Sequence, residues 1–262
     1  MGVFVYKWMI MIEKKIKRGV YLLPNLLTTF GLFAGFFSII LATKGQYAEA
    51  AIAIFVAMVW DGLDGRVARL TNTQSAFGEQ YDSMADMVSF GVAPALLIYF
   101  WQLSEMGQIG WIGAFVYTAA GALRLARFNT QIGVEDKRYF QGLPSPAAAA
   151  LIAGLVWAKD LVGVTDYDQY LAMVSWGILV MAGVLMVSNI RYYSFKEINL
   201  KGRSSFKLLL IAILIIIVVT LSPSAILFIF FFVYTLSGLI MTTIDVRKKR
   251  TFKKKSKKSN KL

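Results

Sequence analysis

Apolar runs of membrane-crossing length, separated by short polar stretches, dominate this chain. The first opens at Pro24-Asn25 and continues to about Ala42, close to the ~20 residues a helix needs to cross a hydrocarbon core. Later runs predict helices over Ala48 to Arg69, Gly78 to Phe100, Ile109 to Arg127, Pro144 to Trp157, Tyr170 to Ser188, Phe206 to Leu221 and Ala225 to Ile244. Thr71-Asn72-Thr73-Gln74-Ser75 and Ser222-Pro223-Ser224 read as turns between neighbouring helices. Pro94, inside the third run, removes a backbone donor and predicts a kink.

Ahead of the first run, Phe4 to Arg18 mixes large apolar residues with Lys14, Lys15, Lys17 and Arg18. The charges follow the apolar residues instead of preceding them, which does not fit a cleaved signal and reads as an amphipathic juxtamembrane helix. The expected fold is therefore an all-α integral membrane protein with about eight transmembrane helices plus that N-terminal helix. It divides into a juxtamembrane segment 1–20, a membrane domain 21–245 and a basic tail 246–262.

Composition supports this reading. Of the 262 residues, 57% are hydrophobic and 16% charged, too apolar for an ordinary soluble domain. The net charge of +13 has a topological meaning. One set of loops carries Lys14 to Arg18, Arg124, Arg127, Lys137, Arg138, Arg191, Lys196, Lys201, Arg203 and the tail, whereas the opposite set holds only Lys44 and Lys159. Positive loops stay on the cytoplasmic side, so an even number of spans puts both termini there. The tail adjoins a hydrophobic span and lacks interleaved aromatic residues, which favours anionic membrane lipids over nucleic acid as its partner.

Cysteine and histidine are both absent. Thiolate chemistry, phosphohistidine intermediates and imidazole general bases are thereby excluded, and carboxylates become the leading candidates for chemistry. They concentrate in one place: Asp61 and Asp64 at the end of the second predicted helix, Asp82 and Asp86 at the start of the third. Spacings of three and four put each pair on one helical face. Four carboxylates around one small volume repel unless divalent cations share it. Oxygen ligands without His or Cys favour hard ions such as Mg²⁺, Ca²⁺ or Mn²⁺. Two such ions can hold a phosphate-containing substrate and its leaving group. Gly62, Gly65, Ala68, Gly78 and Ala85 leave room for close helix approach or for a nucleotide. Acids at a span end can also be solvated interface groups, but four at helical spacing with Gly65, Arg69 and Gly78 between them ask for a ligand.

The pattern Asp61-x-x-Asp64-Gly65-x-x-Ala68-Arg69, eight residues, Gly78, three residues, Asp82, three residues, Asp86 resembles the complete signature of the CDP-alcohol phosphatidyltransferases, without departure in its eight positions. The resemblance implies transfer of a substituted phosphate from a CDP-alcohol such as CDP-diacylglycerol to a second alcohol. It implies Asp61, Asp64, Asp82 and Asp86 as ligands of Mg²⁺ or Mn²⁺, two ions in all, with Asp86 also accepting a proton. Gly65, Ala68, Arg69 and Gly78 match positions that line the CDP site, and Asn25 is a further candidate there. The family commonly forms homodimers.

Three later stretches, Arg124-Leu125-Ala126-Arg127-Phe128-Asn129, Phe140 to Ala147 and Ser188 to Lys196, resemble the phosphatidylserine synthase branch. The acceptor this implies is L-serine, a zwitterion needing a cation for its carboxylate and oxygen acceptors for its ammonium. Arg127, Arg191 and Lys196 are candidates for the cation, Asn129 and Ser145 for polar contacts; each arginine also fits as a topology signal. Glycerol 3-phosphate and inositol phosphate stay open as acceptors, and a divalent-cation transporter is the alternative outside enzymes. A transporter needs acidic groups along a path across the bilayer, and these cluster at one end.

Overall fold

The computed structural model describes residues 2–130, 139–159, 168–193, 213 and 220–259, giving the backbone alone for 2–21, 139 and 244–259. Helix α1 (Gly2–Thr43) and α2 (Tyr47–Leu70) form a hairpin closed by Lys44, Gly45 and Gln46, with Gly45 at φ +75°. Helix α3 (Ala76–Asp86) runs into a π-helical turn (Met87–Val92), α4 (Ala93–Ile98), a second π-helical turn (Tyr99–Leu103) and a 3₁₀ turn (Ser104–Met106), together one span of 31 residues. Then come α5 (Gln108–Thr130), β1 (Tyr139–Gln141), α6 (Ser145–Trp157), α7 (Gln169–Val187), β2 (Arg191–Tyr193) and α8 (Pro223–Ser259).

Among the described residues, five helical stretches are long and apolar enough to cross a membrane: Leu22–Thr43, Ala76–Met106, Gln108–Thr130, Gln169–Val187 and Pro223–Thr243. The protein is an integral membrane protein built mostly of helices. Helix α2 has 24 residues, but Glu49, Asp61, Asp64, Arg66 and Arg69 interrupt its apolar character. Helix α6 has 13 residues, a length of about 20 Å against a hydrocarbon core of about 30 Å. Most of the expected span 206–221, together with Lys137, Arg138 and Lys196, lies outside the described residues.

Two features depart from a plain helical reading. The N-terminal segment is continuous with the first span, and Pro24 sits inside the single helix Gly2–Thr43 instead of opening it; membrane helices tolerate such a proline when side chains and neighbouring helices satisfy the freed groups. Strands β1 and β2 also pair antiparallel, with Phe140 opposite Tyr192. Three residues per strand are too few for a period-2 pattern to show. The ladder continues as Gly142 N–H to Ile190 O at 2.8 Å and Leu143 N–H to Leu185 O at 3.0 Å, so it ties the start of α6 to the end of α7. Gly142 makes this turn at φ +76°, where a side chain is strained.

The core sits around α6. Ala147 to Ala153 is buried on every side, packed by α2, α4 and α8. A helix that is apolar all round belongs inside a bundle, and its alanines let the neighbouring backbones come close. On α1 the opposite situation holds: Leu26, Phe30, Phe33 and Phe37 form an exposed stripe suited to lipid. Pro94 interrupts the third span as a π-helical turn on its N-terminal side. Tyrosines from neighbouring helices supply donors at both interruptions, Tyr117 to Phe90 O at 3.0 Å and Tyr47 to Phe100 O at 2.8 Å.

Candidate active site

The last turns of α2 and the first turns of α3 converge at one end of the bundle. Asn72 turns the chain at φ +53°, and Ser75 starts α3 by accepting the Gly78 N–H at 3.0 Å, which satisfies one of the helix's orphan donors. Asp61 and Asp64 then face Asp82. One carboxylate oxygen from each of the three falls within 4.8 Å of the others. Helix α1 completes the wall: Thr28 Oγ1 contacts Asp64 Oδ2 at 2.6 Å and Pro24 O at 3.1 Å. Both Thr28 and Asp64 are buried, at 5% and 4% exposure, so this hydrogen bond fixes the carboxylate away from water.

Asp86 stands outside that triplet, one turn further along α3, and lines the same cavity of about 420 Å³. Close approach of α1 and α3 at the mouth depends on Gly78. A Cβ there would meet Asn25 Oδ1 at 3.3 Å and Ser75 Oγ at 3.2 Å, crowding both. Arg69, at the end of α2, carries the cation on this rim, and its Nη1 lies 3.9 Å from where a Gly65 Cβ would stand.

Helix α5 contributes Arg124, whose Nη1 donates to Ser145 Oγ at 2.8 Å. Both are buried and both line the cavity, as do Phe128 and Phe140. Arg124 is also a positive charge acting on the Asp86 carboxyl. One cavity thus combines an anionic cluster from α2 and α3 with a cationic group from α5.

The remaining candidates lie elsewhere. Arg127 donates to Asn189 Oδ1 at 2.8 Å and Val187 O at 3.3 Å, and Gln141 Nε2 reaches the same Asn189 oxygen at 2.8 Å. Asn129 exchanges hydrogen bonds with Ser83 at 3.0 and 3.1 Å, tying α5 to α3. Arg191 is exposed on β2 opposite Gln141. None of these three is among the residues that line the cavity, Ser145 is, and Lys196 lies outside the described residues.

Residues 21–188 match the family model described as CDP-alcohol phosphatidyltransferase. The chain belongs to the CDP-alcohol phosphatidyltransferase family. It is similar to a CDP-diacylglycerol–serine O-phosphatidyltransferase of Helicobacter pylori (strain J99), 44% identical over 70% of this chain and 77% of that protein. A protein of that name from Methanocaldococcus jannaschii is 34% identical over 67% of this chain and 75% of its own length. An archaetidylserine synthase of Methanothermobacter thermautotrophicus is 36% identical over 69% and 72%.

All eight positions of the CDP-alcohol phosphatidyltransferase signature line the one cavity, and Asn25 joins them. The donor set fits a hard divalent cation: several carboxylate oxygens converge in a site without nitrogen or sulfur ligands, and a buried hydroxyl orients one of them. Thr28 and Arg124 are the contributors that motif spacing did not single out. Arg124 was legible in part. The buried face Gly110, Gly113, Ala114, Tyr117, Ala120 and Gly121 continues at helical spacing to Arg124 and Leu125, which places this arginine inward. Thr28 carried no such signal, because its partner is 36 residues away.

Proposed function

We propose that this protein transfers the phosphatidyl group of CDP-diacylglycerol to the hydroxyl of L-serine, forming phosphatidylserine and CMP. The observation that carries this reading is a single cavity lined by the complete phosphatidyltransferase signature together with the Arg124–Ser145 pair. The similarity to serine-using relatives selects the alcohol.

Asp61, Asp64 and Asp82 hold divalent metal, with Asp86 completing the set. When bound, two Mg²⁺ or Mn²⁺ ions would neutralise the phosphates and the charge that builds on departing CMP. Gly65, Ala68, Gly78 and Asn25 leave a slot for the nucleotide, and Arg69 grips phosphate with paired donors. Arg124, steadied by Ser145, takes the serine carboxylate; Arg127, Asn129 and Arg191 are not among the residues that line the cavity. Asp86 accepts the hydroxyl proton; the serine oxygen bonds to the phosphorus on the diacylglycerol side, and the bond from that phosphorus to the CMP oxygen breaks, with CMP keeping the electron pair. Direct attack inverts the configuration at phosphorus, and net retention would reject it.

The same reading places eight spans in the cytoplasmic (inner) membrane, with both termini and the cavity on the cytoplasmic side, as the lysine and arginine asymmetry supports. The 1–20, 21–245 and 246–262 division and a homodimer belong to it, and cross-linking in native membranes tests the second copy. The basic tail meets anionic lipid. The deciding experiment measures CMP release from the purified protein with Mg²⁺ or Mn²⁺. Release that requires both CDP-diacylglycerol and serine is expected; release with glycerol 3-phosphate or inositol phosphate but not serine would overturn the acceptor.

A further inference from the structure

We infer that Tyr117 is a positioning residue for the reaction: its hydroxyl replaces the backbone hydrogen bond that Pro94 cannot make and so fixes the π-helical turn that aims Asp86 into the cavity. The inference rests on the role given to Asp86 above.

Asp86 is the last residue of α3, and the π-helical turn Met87–Val92 begins immediately after it. In an α-helix Phe90 O would accept the N–H of residue 94, but Pro94 has none. The ladder widens here, with Ala93 N–H bonding Val88 O, five residues back. Phe90 O instead accepts the Tyr117 hydroxyl at 3.0 Å, and Gly91 O accepts Thr118 Oγ1 at 3.2 Å. Tyr117 has no exposure at all, so water cannot stand in for it.

The turn is held from its other side as well. Ser89 Oγ donates to Gly31 O on α1 at 3.2 Å, and a Cβ at Gly35 would come within 2.7 Å of Ser89 Cα. The chain approaches α1 this closely only because residue 35 is glycine. A turn clamped between α1 and α5 has one rotational setting, and that setting decides where the residue just before it points. Such π-turns are uncommon and concentrate at functional sites because they re-aim neighbouring side chains. Asp86 adjoins this turn, whereas Asp82 lies one helical turn earlier on α3 and Asp61 and Asp64 lie on α2, so a change in the turn reaches Asp86 first.

The test uses the full-length protein in mixed micelles. Tyr117→Phe removes one oxygen and keeps the ring. Turnover is expected to fall about 10- to 100-fold, the scale for a catalytic group displaced by about 1 Å, with KM for CDP-diacylglycerol and for serine unchanged. Binding of Mn²⁺ alone, followed by electron paramagnetic resonance, persists through Asp61, Asp64 and Asp82 and shows that the fold is intact. Adding Pro94→Ala restores an N–H for Phe90 O, so the double variant regains turnover relative to Tyr117→Phe. Normal turnover in Tyr117→Phe, no recovery in the double variant, or loss of Mn²⁺ binding together with turnover overturns the inference. Asp86→Asn separates the two levels: an inactive Asp86→Asn beside a fully active Tyr117→Phe rejects the positioning role alone, whereas an active Asp86→Asn rejects the Asp86 assignment itself.

Discussion

The two walls of the cavity are built in different ways. On the α2–α3 wall, Asp61 and Asp64 share one helix face and Asp82 and Asp86 another, and a five-residue connection from Thr71 to Ser75 brings the two faces together. On α5, Arg124 meets Ser145 in the cavity from 21 positions away, and Arg127 meets Asn189 outside the cavity lining across 62. Local spacing organises the first wall and tertiary contact the second. The carboxylates therefore behave as a motif, while the basic residues sort into a cavity group and a bracing group only once the helices are packed.

The largest effect tests the anionic wall. Asp86→Asn keeps the side-chain shape but cannot accept the proton, so turnover should fall about 10²–10⁴-fold, the usual worth of general-base catalysis. Nucleotide binding, read by retention on immobilised CDP, should persist. Near-normal turnover would remove Asp86 as the base and leave four acids with only a metal-holding role.

Next comes the cationic group that α5 supplies to the cavity. Arg124→Lys preserves the charge but loses the forked donors. It should raise KM for serine about 10-fold or more, the worth of one hydrogen bond to a charged group, while KM for CDP-diacylglycerol stays put. If both constants rise together, Arg124 serves the phosphates and the acceptor carboxylate is held elsewhere.

Thr28→Val probes the join between the walls and α1. The valine fills nearly the same volume but cannot donate to Asp64 Oδ2. Loss of a hydrogen bond that orients a metal-ligating carboxylate typically weakens metal affinity about 10–100-fold, measurable by titrating Mn²⁺ calorimetrically. Thr28→Ser should restore binding, and equal affinity in Thr28→Val would show that Asp64 needs no such orientation.

The same contrast explains what could be read in advance. Apolar runs gave the helix positions to within a few residues, because α5, α7 and the start of α8 follow hydrophobic stretches and α2 is built around one. The aspartate faces were legible because three- and four-residue spacing is a property of one helix. The β1–β2 ladder was not, since its six residues pair across 50 to 54 positions and are too short to show alternation. Nor was the sorting of Arg124 from Arg127. They are three residues apart on one helix, and the neighbours that separate them, Ser145 for one and Asn189 for the other, come from different parts of the chain.

Arg127 gives the smallest expected effect and the sharpest test of that sorting. Half-buried and outside the cavity lining, it holds the end of α5 to Val187 O and Asn189, and Asn189 in turn accepts from Gln141, the last residue of β1. Arg127→Ala removes this brace without touching the aspartates. A hydrogen bond from a charged donor contributes about 1.5–3 kcal/mol net when shielded, and the partly solvated setting keeps the loss here below that range. The expected result is a small drop in thermal midpoint in detergent with KM for serine within about twofold, since a lost contact outside the site acts on stability and not on transition-state binding. A rise of about tenfold or more in that KM, with no change in the midpoint, would move Arg127 from brace to ligand. The acceptor pole would then lie beside the β1–β2 ladder instead of at Ser145.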